Sequence, residues 1–467
     1  MSSVLTVVLA ALSLGYYVGG RLADKRPDVK VFFGIILLGG LSVLTLHWMQ
    51  ALFLASLGRT LPLTTGPLIT SVLLFFVPSL LLGMLSPFAI KLAEVQSKKQ
   101  GLGSIVGTIF FFSTMGSIAG SLLAGYVLVP NFGVGAIMLG VGLGLTALGA
   151  VPLILSGLGR VGAIKIGVVT VALVAPYGLA MPQTDALYDK NGVYERITII
   201  DGTYDGRPTR FLFQDRSASG AMYLDGDDLT YKYSKYYALH EVFVPEVRRA
   251  LVLGSGAYSL PKVLLQDLPK AQVDTIDIEP SLVELGERYF GVPADEPRLH
   301  NIIADGRRWL HETSEPYDLI FSDVYDSYYS MPMHFTTKEF FQLAYDKLND
   351  EGLFIANVIG SLDGQQPSFL LSEARTLQQV FPEVYLFAVE SPADPAIQNF
   401  ILAGHKSRQR AALNEARLQQ SNHDVIRGLA RQQVDLRRFD LTDYPVLTDD
   451  YAPVESWTAQ LLRRHSR

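Results

Sequence analysis

The run YDLIFSDVYDSYY, Tyr317 to Tyr329, passes through Leu319, Ile320 and Phe321 and then places two carboxylates, Asp323 and Asp326, three residues apart among tyrosines. A short apolar stretch of this kind reads as a buried strand, so the acids stand where it emerges. Two carboxylates so spaced can do two jobs for an amine. An alkylammonium has a pKa of about 10 and is almost wholly protonated at neutral pH. One acid can therefore hold the cation while the other accepts or relays its proton. The neighbouring tyrosines, Tyr325 among them, can lie against an alkyl stem or a second cation with their ring faces. Taken alone, Asp323 is equally suited to cap the turn that follows it.

Three earlier strand-like runs end on residues suited to a nucleotide. RALVLGSG closes on Gly254, Ser255 and Gly256, where glycine lets the backbone approach a ligand and the next helix offers free N–H groups. QVDTIDIEP ends in Asp277 and Glu279, and an acid about 20 residues after a glycine turn is placed to accept hydrogen bonds from ribose hydroxyls. LHNIIADG ends at Asp305 and Gly306, putting a carboxylate within reach of a purine amino group. The dinucleotide pattern GxGxxG is not completed, because Ser259 stands where its third glycine would be. GLFIANVIG, EVYLFAVE and QNFILAG continue the series. Strands alternating with helix-length segments imply a doubly wound parallel sheet whose ligands sit at the carboxyl ends of the strands.

Around these elements the composition is uneven. Of 39 Lys/Arg and 45 Asp/Glu, residues 1–184 hold only ten and three, which leaves 29 and 42 for residues 185–467. The chain joins a basic-edged apolar half to an acidic soluble half. The acidic half argues against a nucleic-acid partner and suits a cationic small molecule, although surface acids more often serve solvation alone. With no cysteine and eight histidines in no metal-binding spacing, a thiol nucleophile and a metal site are not expected.

Uncharged apolar runs fall at about 4–20, 31–57, 68–90, 104–129, 132–157 and 166–181, and the longer ones reach the roughly 20 residues that cross a bilayer as helix. Six spans are expected. The first is read as a span and not a cleaved signal, since its basic residues follow it. Glycines crowd GSIAGSLLAG and GVGLGLTALG, as where helix backbones pack closely in lipid. No charge lies mid-span, so transport by this half alone is not supported. Basic residues mark the loops at 21–30, 91–99 and 160–165 as cytoplasmic. Six full spans would then put the soluble half outside. The expectation is nevertheless a cytoplasmic domain on a plasma or inner membrane, with the last segment, which holds Lys165 and Pro176, not crossing fully.

Over roughly residues 190–405 the chain resembles the spermidine synthase (aminopropyltransferase) family, within the class I S-adenosylmethionine-dependent methyltransferase fold. The resemblance rests on ERITIIDG and TRFLFQD, the lead-in YKYSKYYALHE, then VLGSG, TIDIEP, ADGRRWL, DLIFSDVYD and FTTKEFFQLAYDKLNDEGLFIANV; with LTDDYAPVE and the apolar half it looks like a membrane-fused branch. It implies a multi-pass α-helical membrane domain (1–184), a small β segment with a tyrosine-rich lead-in (185–245), an α/β Rossmann-like catalytic domain (246–410) and a helical tail (411–467).

What the resemblance implies about the site follows residue by residue. Asp277 would lie on the ribose, with Gly254, Ser255, Gly256, Glu279 and Gly306 beside the donor and Asp305 near the adenine. Asp323 would be the base or orienting carboxylate, Asp326 would hold the incoming amine, and Tyr233 or Tyr236 would line the pocket with Tyr325. The donor would be decarboxylated S-adenosylmethionine or S-adenosylmethionine itself, without a metal. The acceptor would be a polyamine or other cationic amine, and the partners membrane lipid and a second copy in a homodimer. Two departures stand out. Ala257 and Tyr258 replace an acid that follows the family's glycines, and SYYSMP replaces its Pro-Gly-Pro segment. They keep open a methyltransferase or another alkyl-transferring or lyase-type enzyme. A third reading, of another class, is a non-catalytic sensor or transport module.

Overall fold

Charge-free apolar runs become helices in the first part of the chain, and short apolar runs become strands in the second, in the computed structural model of the protein. It describes residues 2–49, 61, 65–96, 101–157, 159–179, 186–215, 217–324, 332–363, 366–409 and 411–465. The chain divides into two compact units, Met1–Thr184 and Asp185–Arg467.

In the first unit five helical stretches among the described residues are long and apolar enough to cross a membrane: Ser3–Lys25, Val29–Leu46, Gly66–Gln96, Leu102–Leu128 and Val134–Leu155. They contain helices α1 (Ser2–Lys25), α2 (Val29–Met49), α3 (Gly66–Gly83), α4 (Leu85–Gln96), α5 (Leu102–Leu123) and α6 (Val134–Leu155). Beyond these five, the sixth expected run falls in helix α7, Gly159–Leu179. Helices α2 and α6 touch almost backbone to backbone, which only glycine permits. A Cβ on Gly149 would lie 2.4 Å from the Leu37 nitrogen, and one on Gly40 2.4 Å from the Thr146 nitrogen, so α2 and α6 are in direct contact. The other glycine-rich segment behaves differently. Gly116, Gly120 and Gly125 would meet nothing within 4 Å, so among the described residues the close packing expected there does not occur.

The second unit opens with a four-stranded antiparallel sheet, β1 (Tyr188–Asn191), β2 (Arg196–Tyr204), β3 (Arg207–Gln214) and β4 (Ser217–Tyr223). A 3₁₀ helix, Tyr233–Leu239, follows. Then come β5 (Arg249–Leu253), α8 (Ser259–Asp267), β6 (Gln272–Asp277), α9 (Ser281–Phe290), β7 (Leu299–Ile303), α10 (Gly306–Glu312) and β8 (Tyr317–Ser322). The chain continues through α11 (Lys338–Asp346), β9 (Leu348–Gly360), α12 (Phe369–Gln378), β10 (Glu383–Ala388) and β11 (Gln398–His405). The seven later strands form one sheet in the order β10-β11-β9-β8-β5-β6-β7.

From β9 to β7 neighbours are parallel, whereas β10 and β11 pair antiparallel with each other and β11 antiparallel with β9. The sheet is mixed, not wholly parallel as the alternation of elements suggests. The connection from β10 to β11 spans only residues 389–397, too short for the crossover that a parallel return needs. Alternate residues face opposite cores. Ala250, Val252, Leu319 and Phe321 pack on one side, and Leu251, Leu253 and Ile320 on the other, which is why the central strands read as unbroken apolar runs. The tail is mostly short turns with one helix, α13 (Val454–His465), and Leu447, Val454 and Trp457 enter the second core.

Because both cores of this unit are built from its own residues, a fragment of residues 185–467 is expected to fold by itself. Expression of several fragments beginning near 185, read by dispersed amide spectra and cooperative melting, checks this; aggregation from every boundary would contradict it.

Candidate functional site

The chain runs from β5 to β6 and β7 on one side of the sheet and returns to β8 on the other. The carboxyl ends of β5, β6 and β8 therefore open into one crevice, where a doubly wound sheet binds ligands. A cavity of about 1010 Å³ occupies it. Gly254 sits at the end of β5 with φ +93°, and a Cβ there would come 2.4 Å from the Asp323 carbonyl oxygen. The Gly254 N–H donates to the Ile276 carbonyl and the Asp323 N–H to the Leu253 carbonyl, both at 2.9 Å. The glycine turn is thus sewn between the ends of β6 and β8.

Asp277 supports that turn. Its carboxylate accepts from the Ser255 N–H at 2.8 Å and the Glu279 N–H at 3.0 Å, and burial raises its pKa above the usual carboxylate value despite those bonds. It lines the cavity together with Gly254, Ser255, Gly256, Asp305 and Gly306. Asp305 also caps α10, accepting from the Arg308 N–H at 2.9 Å, and the His334 Nε2 lies 3.4 Å from its other oxygen.

Glu279 does not belong to the site. Its side chain is 2% exposed and accepts from the Val193 N–H at 2.7 Å, the Tyr194 N–H at 3.1 Å, and both the N–H and hydroxyl of Ser281 at 3.2 and 2.7 Å. With its oxygens taken, it ties the first hairpin of the small sheet to the start of α9. The spacing after the glycine turn could not tell which of two acids two residues apart faces the cavity.

Asp323 follows β8, and three groups define its surroundings. Its carboxylate accepts from the Asn357 side-chain N–H and from the Tyr233 hydroxyl, each at 3.0 Å. Burial pushes its pKa up to about 6, with those two hydrogen bonds pulling the other way. Tyr233 is held far above its ordinary pKa, first by burial and then by the Asp323 charge, so it stays a donor. The Tyr231 ring stacks on Tyr233 at 5.8 Å, and Tyr204 meets Tyr231 edge-on at 5.6 Å.

Of the two lead-in tyrosines, only Tyr233 reaches the cavity. Tyr236, one 3₁₀ turn further on, is 2% exposed, lies against Phe387 and donates to the Ala388 carbonyl at 3.3 Å; it is a core residue. Tyr325 and Asp326 lie outside the described residues. The sequence reading missed Asn357 and its support, the Asn399 side-chain N–H at 2.8 Å from the Asn357 Oδ1. With its oxygen so occupied, Asn357 must turn its N–H toward Asp323. The available signal was a lone polar residue inside FIANVIG. Among the described residues the lining holds six carboxylates against two lysines, an arrangement that attracts cations. A buried carboxylate of raised pKa, beside a backbone cradle, can take a proton from an amine near neutral pH.

Residues 195–417 match the family profile described as spermine/spermidine synthase domain. The chain is 25% identical over 224 residues to a polyamine aminopropyltransferase of Vibrio vulnificus, covering 46% of this chain and 71% of that protein. It is 32% identical over 166 residues to a polyamine aminopropyltransferase of Thermococcus kodakarensis, covering 32% of this chain and 56% of that protein. The second alignment thus spans little more than half of its relative. A crystal structure of a probable spermidine synthase from Corynebacterium glutamicum superposes with a TM-score of 0.46 at 22% identity, covering 57% of this chain and 98% of that one.

The placement of Glu279 yields a specific expectation. Glu279→Ala should destabilise the protein by about 2–4 kcal/mol, because four donors lose a buried acceptor, while the molecules that remain folded bind nucleotide as before. Thermal melts paired with calorimetry check it. Unchanged stability with lost nucleotide binding would return Glu279 to the ribose.

Proposed function

Because the soluble unit is spermidine synthase-like in family and methyltransferase-like in fold, we propose that this transferase moves an aminopropyl-type group from a sulfonium donor to an amine and releases methylthioadenosine. The observation that carries the proposal is Asp323, a carboxylate with its pKa at about 6, in contact with the end of the glycine turn. The relatives named polyamine aminopropyltransferase support the same chemistry.

In this reading Asp277 holds the ribose with its remaining lone pairs, Asp305 meets the adenine edge, and the glycine turn lets backbone pass close to the donor. Tyr231 and Tyr233 offer ring faces to the acceptor's alkyl chain or to the sulfonium. The acceptor is a polyamine or similar cationic amine, drawn in by the acidic lining. It arrives protonated, and Asp323 accepts the proton that must leave before nitrogen can attack. The Tyr233 hydroxyl and the Asn357 amide fix the carboxylate in place, so the incoming nitrogen meets it in one orientation. The N-terminal unit anchors the enzyme in a membrane through its apolar helices.

Asp323→Asn should abolish turnover and leave nucleotide affinity within a few-fold. Asp277→Ala should weaken donor binding by roughly 1.5–3 kcal/mol. In the native protein the rate should fall as pH drops through about 6, since protonation of Asp323 removes the proton acceptor. Mass spectrometry of products with decarboxylated and intact S-adenosylmethionine decides the reaction. Methylthioadenosine marks transfer of the tail, whereas adenosylhomocysteine alone would mean methyl transfer and would defeat the proposal.

The catalytic unit is proposed to face the cytoplasm, where its donor is made. Arg160 and Lys165 open α7 and Pro176 lies late in it, features that suit a segment held at the cytoplasmic surface. A reporter fused after Arg467 checks the side: fluorescence from a cytoplasmic fluorophore is expected, and alkaline phosphatase activity would reverse it.

A further inference from the structure

The wall of the cavity above the glycine turn carries an unusual set of polar groups. β4 crosses this turn so closely that a Cβ on Gly220 would lie 2.5 Å from the Ala257 nitrogen, and one on Gly256 2.9 Å from the Ser219 carbonyl. Ala257 and Tyr258, which follow the glycines, are 2% and 1% exposed and belong to the apolar core. Ala257 lines the cavity with a methyl group and Tyr258 stays in the core, so neither brings a carboxylate to it. The lining includes Gln214 instead, at the end of β3 where it pairs in register with Ser217 of β4. Gln214 is 8% exposed, and among the described residues its side-chain amide has no hydrogen-bond partner. Gln214 lines the cavity, so a ligand there can complete its amide.

The chemistry of an amide restricts what completes it. Its carbonyl can accept from an ammonium and its N–H can donate to a carboxylate, so it can serve a tail that carries both. A carboxylate in its place would favour an ammonium and repel a second carboxylate. Lys235 also lines the cavity, is part-buried, and has no ion pair among the described residues. A cation there opposes a purely cationic tail and suits one bearing a negative group. Among the six lining carboxylates, Asp277 already has the Ser255 and Glu279 N–H groups as donors, Asp323 has Tyr233 and Asn357, and Glu390 has Lys232 at 2.7 Å.

We infer that this cavity takes a donor whose tail keeps its carboxylate, intact S-adenosylmethionine, and that Gln214 and Lys235 set this choice. The inference rests on the tail-transfer reading above and specifies its donor. In the step, the amine nitrogen uses its lone pair to form a bond to the tail carbon next to sulfur. The carbon–sulfur bond breaks with its electron pair staying on sulfur, giving neutral methylthioadenosine, and one proton leaves the amine to Asp323. The tail's ammonium and carboxylate are spectators, and the product is an amine bearing a 3-amino-3-carboxypropyl arm.

The test is a ratio of dissociation constants, intact over decarboxylated S-adenosylmethionine, measured by calorimetry on the full-length protein in detergent. The wild type is expected to show a ratio below about ten. Gln214→Glu, which places a negative charge in the wall, and Lys235→Met, which removes the positive one, should each raise the ratio by more than roughly fivefold. A wild-type ratio of about ten or more, or a ratio that neither substitution moves by roughly fivefold, overturns the inference. Methylthioadenosine release with a diamine present is read separately. Its absence with both donors defeats the transfer reading, while its appearance beside a failed ratio defeats only the choice of donor.

Discussion

Everything at the site depends on one carboxylate being kept from water at the end of a central strand. Asp323 stands where β8 meets β5, and the two strand ends approach so closely that Gly254 can carry no side chain. Desolvation raises the energy of the ionised form, and two donors, from Asn357 and Tyr233, offset part of it. Each donor is fixed in turn, Asn357 by Asn399 and Tyr233 by the ring of Tyr231. Residues from β9, β11 and the 3₁₀ helix are thereby committed to one charge. The balance leaves a group that is mostly ionised at neutral pH yet able to take a proton.

The small antiparallel sheet is part of the same construction. It lies over the glycine turn through Gly220 and Ser219, and Glu279 fastens its first hairpin by accepting from two backbone N–H groups. The roof of the cavity and its floor therefore come from different sheets, joined by a buried carboxylate whose oxygens are taken by backbone and Ser281 donors. Two acids of one short loop divide the labour: Asp277 braces the glycine turn, and Glu279 braces the roof above it.

The N-terminal unit uses glycine for a different end. Gly40 and Gly149 bring α2 and α6 into backbone contact, so the two helices pack at the shortest distance their backbones allow. Among the described residues the glycines of α5 and the turn after it meet no neighbour, although their spacing in the sequence is of the same kind. Composition marks where glycine is dense. It does not say which helix another one touches.

Much of this protein was legible in its sequence. Uncharged runs of about 20 residues fixed the apolar helices, and the alternation of apolar runs with helix-length segments fixed the central strands, because both signals depend only on local burial. The same logic placed Gly254, Asp277, Asp305 and Asp323 at strand ends, where one crevice gathers them. What needed the tertiary structure was the direction of individual side chains. Tyr236 has the same type and nearly the same setting as Tyr233, yet packs against Phe387. Glu279 is a carboxylate like Asp277 and points the other way. Asn357 reads as an oddity in an apolar strand until β8 is laid beside it. The two antiparallel strands escaped because apolar pattern carries no direction, whereas the length of the connecting turn does. Local periodicity records which residues leave water; which neighbour each then meets is settled only when strands distant in the chain lie side by side.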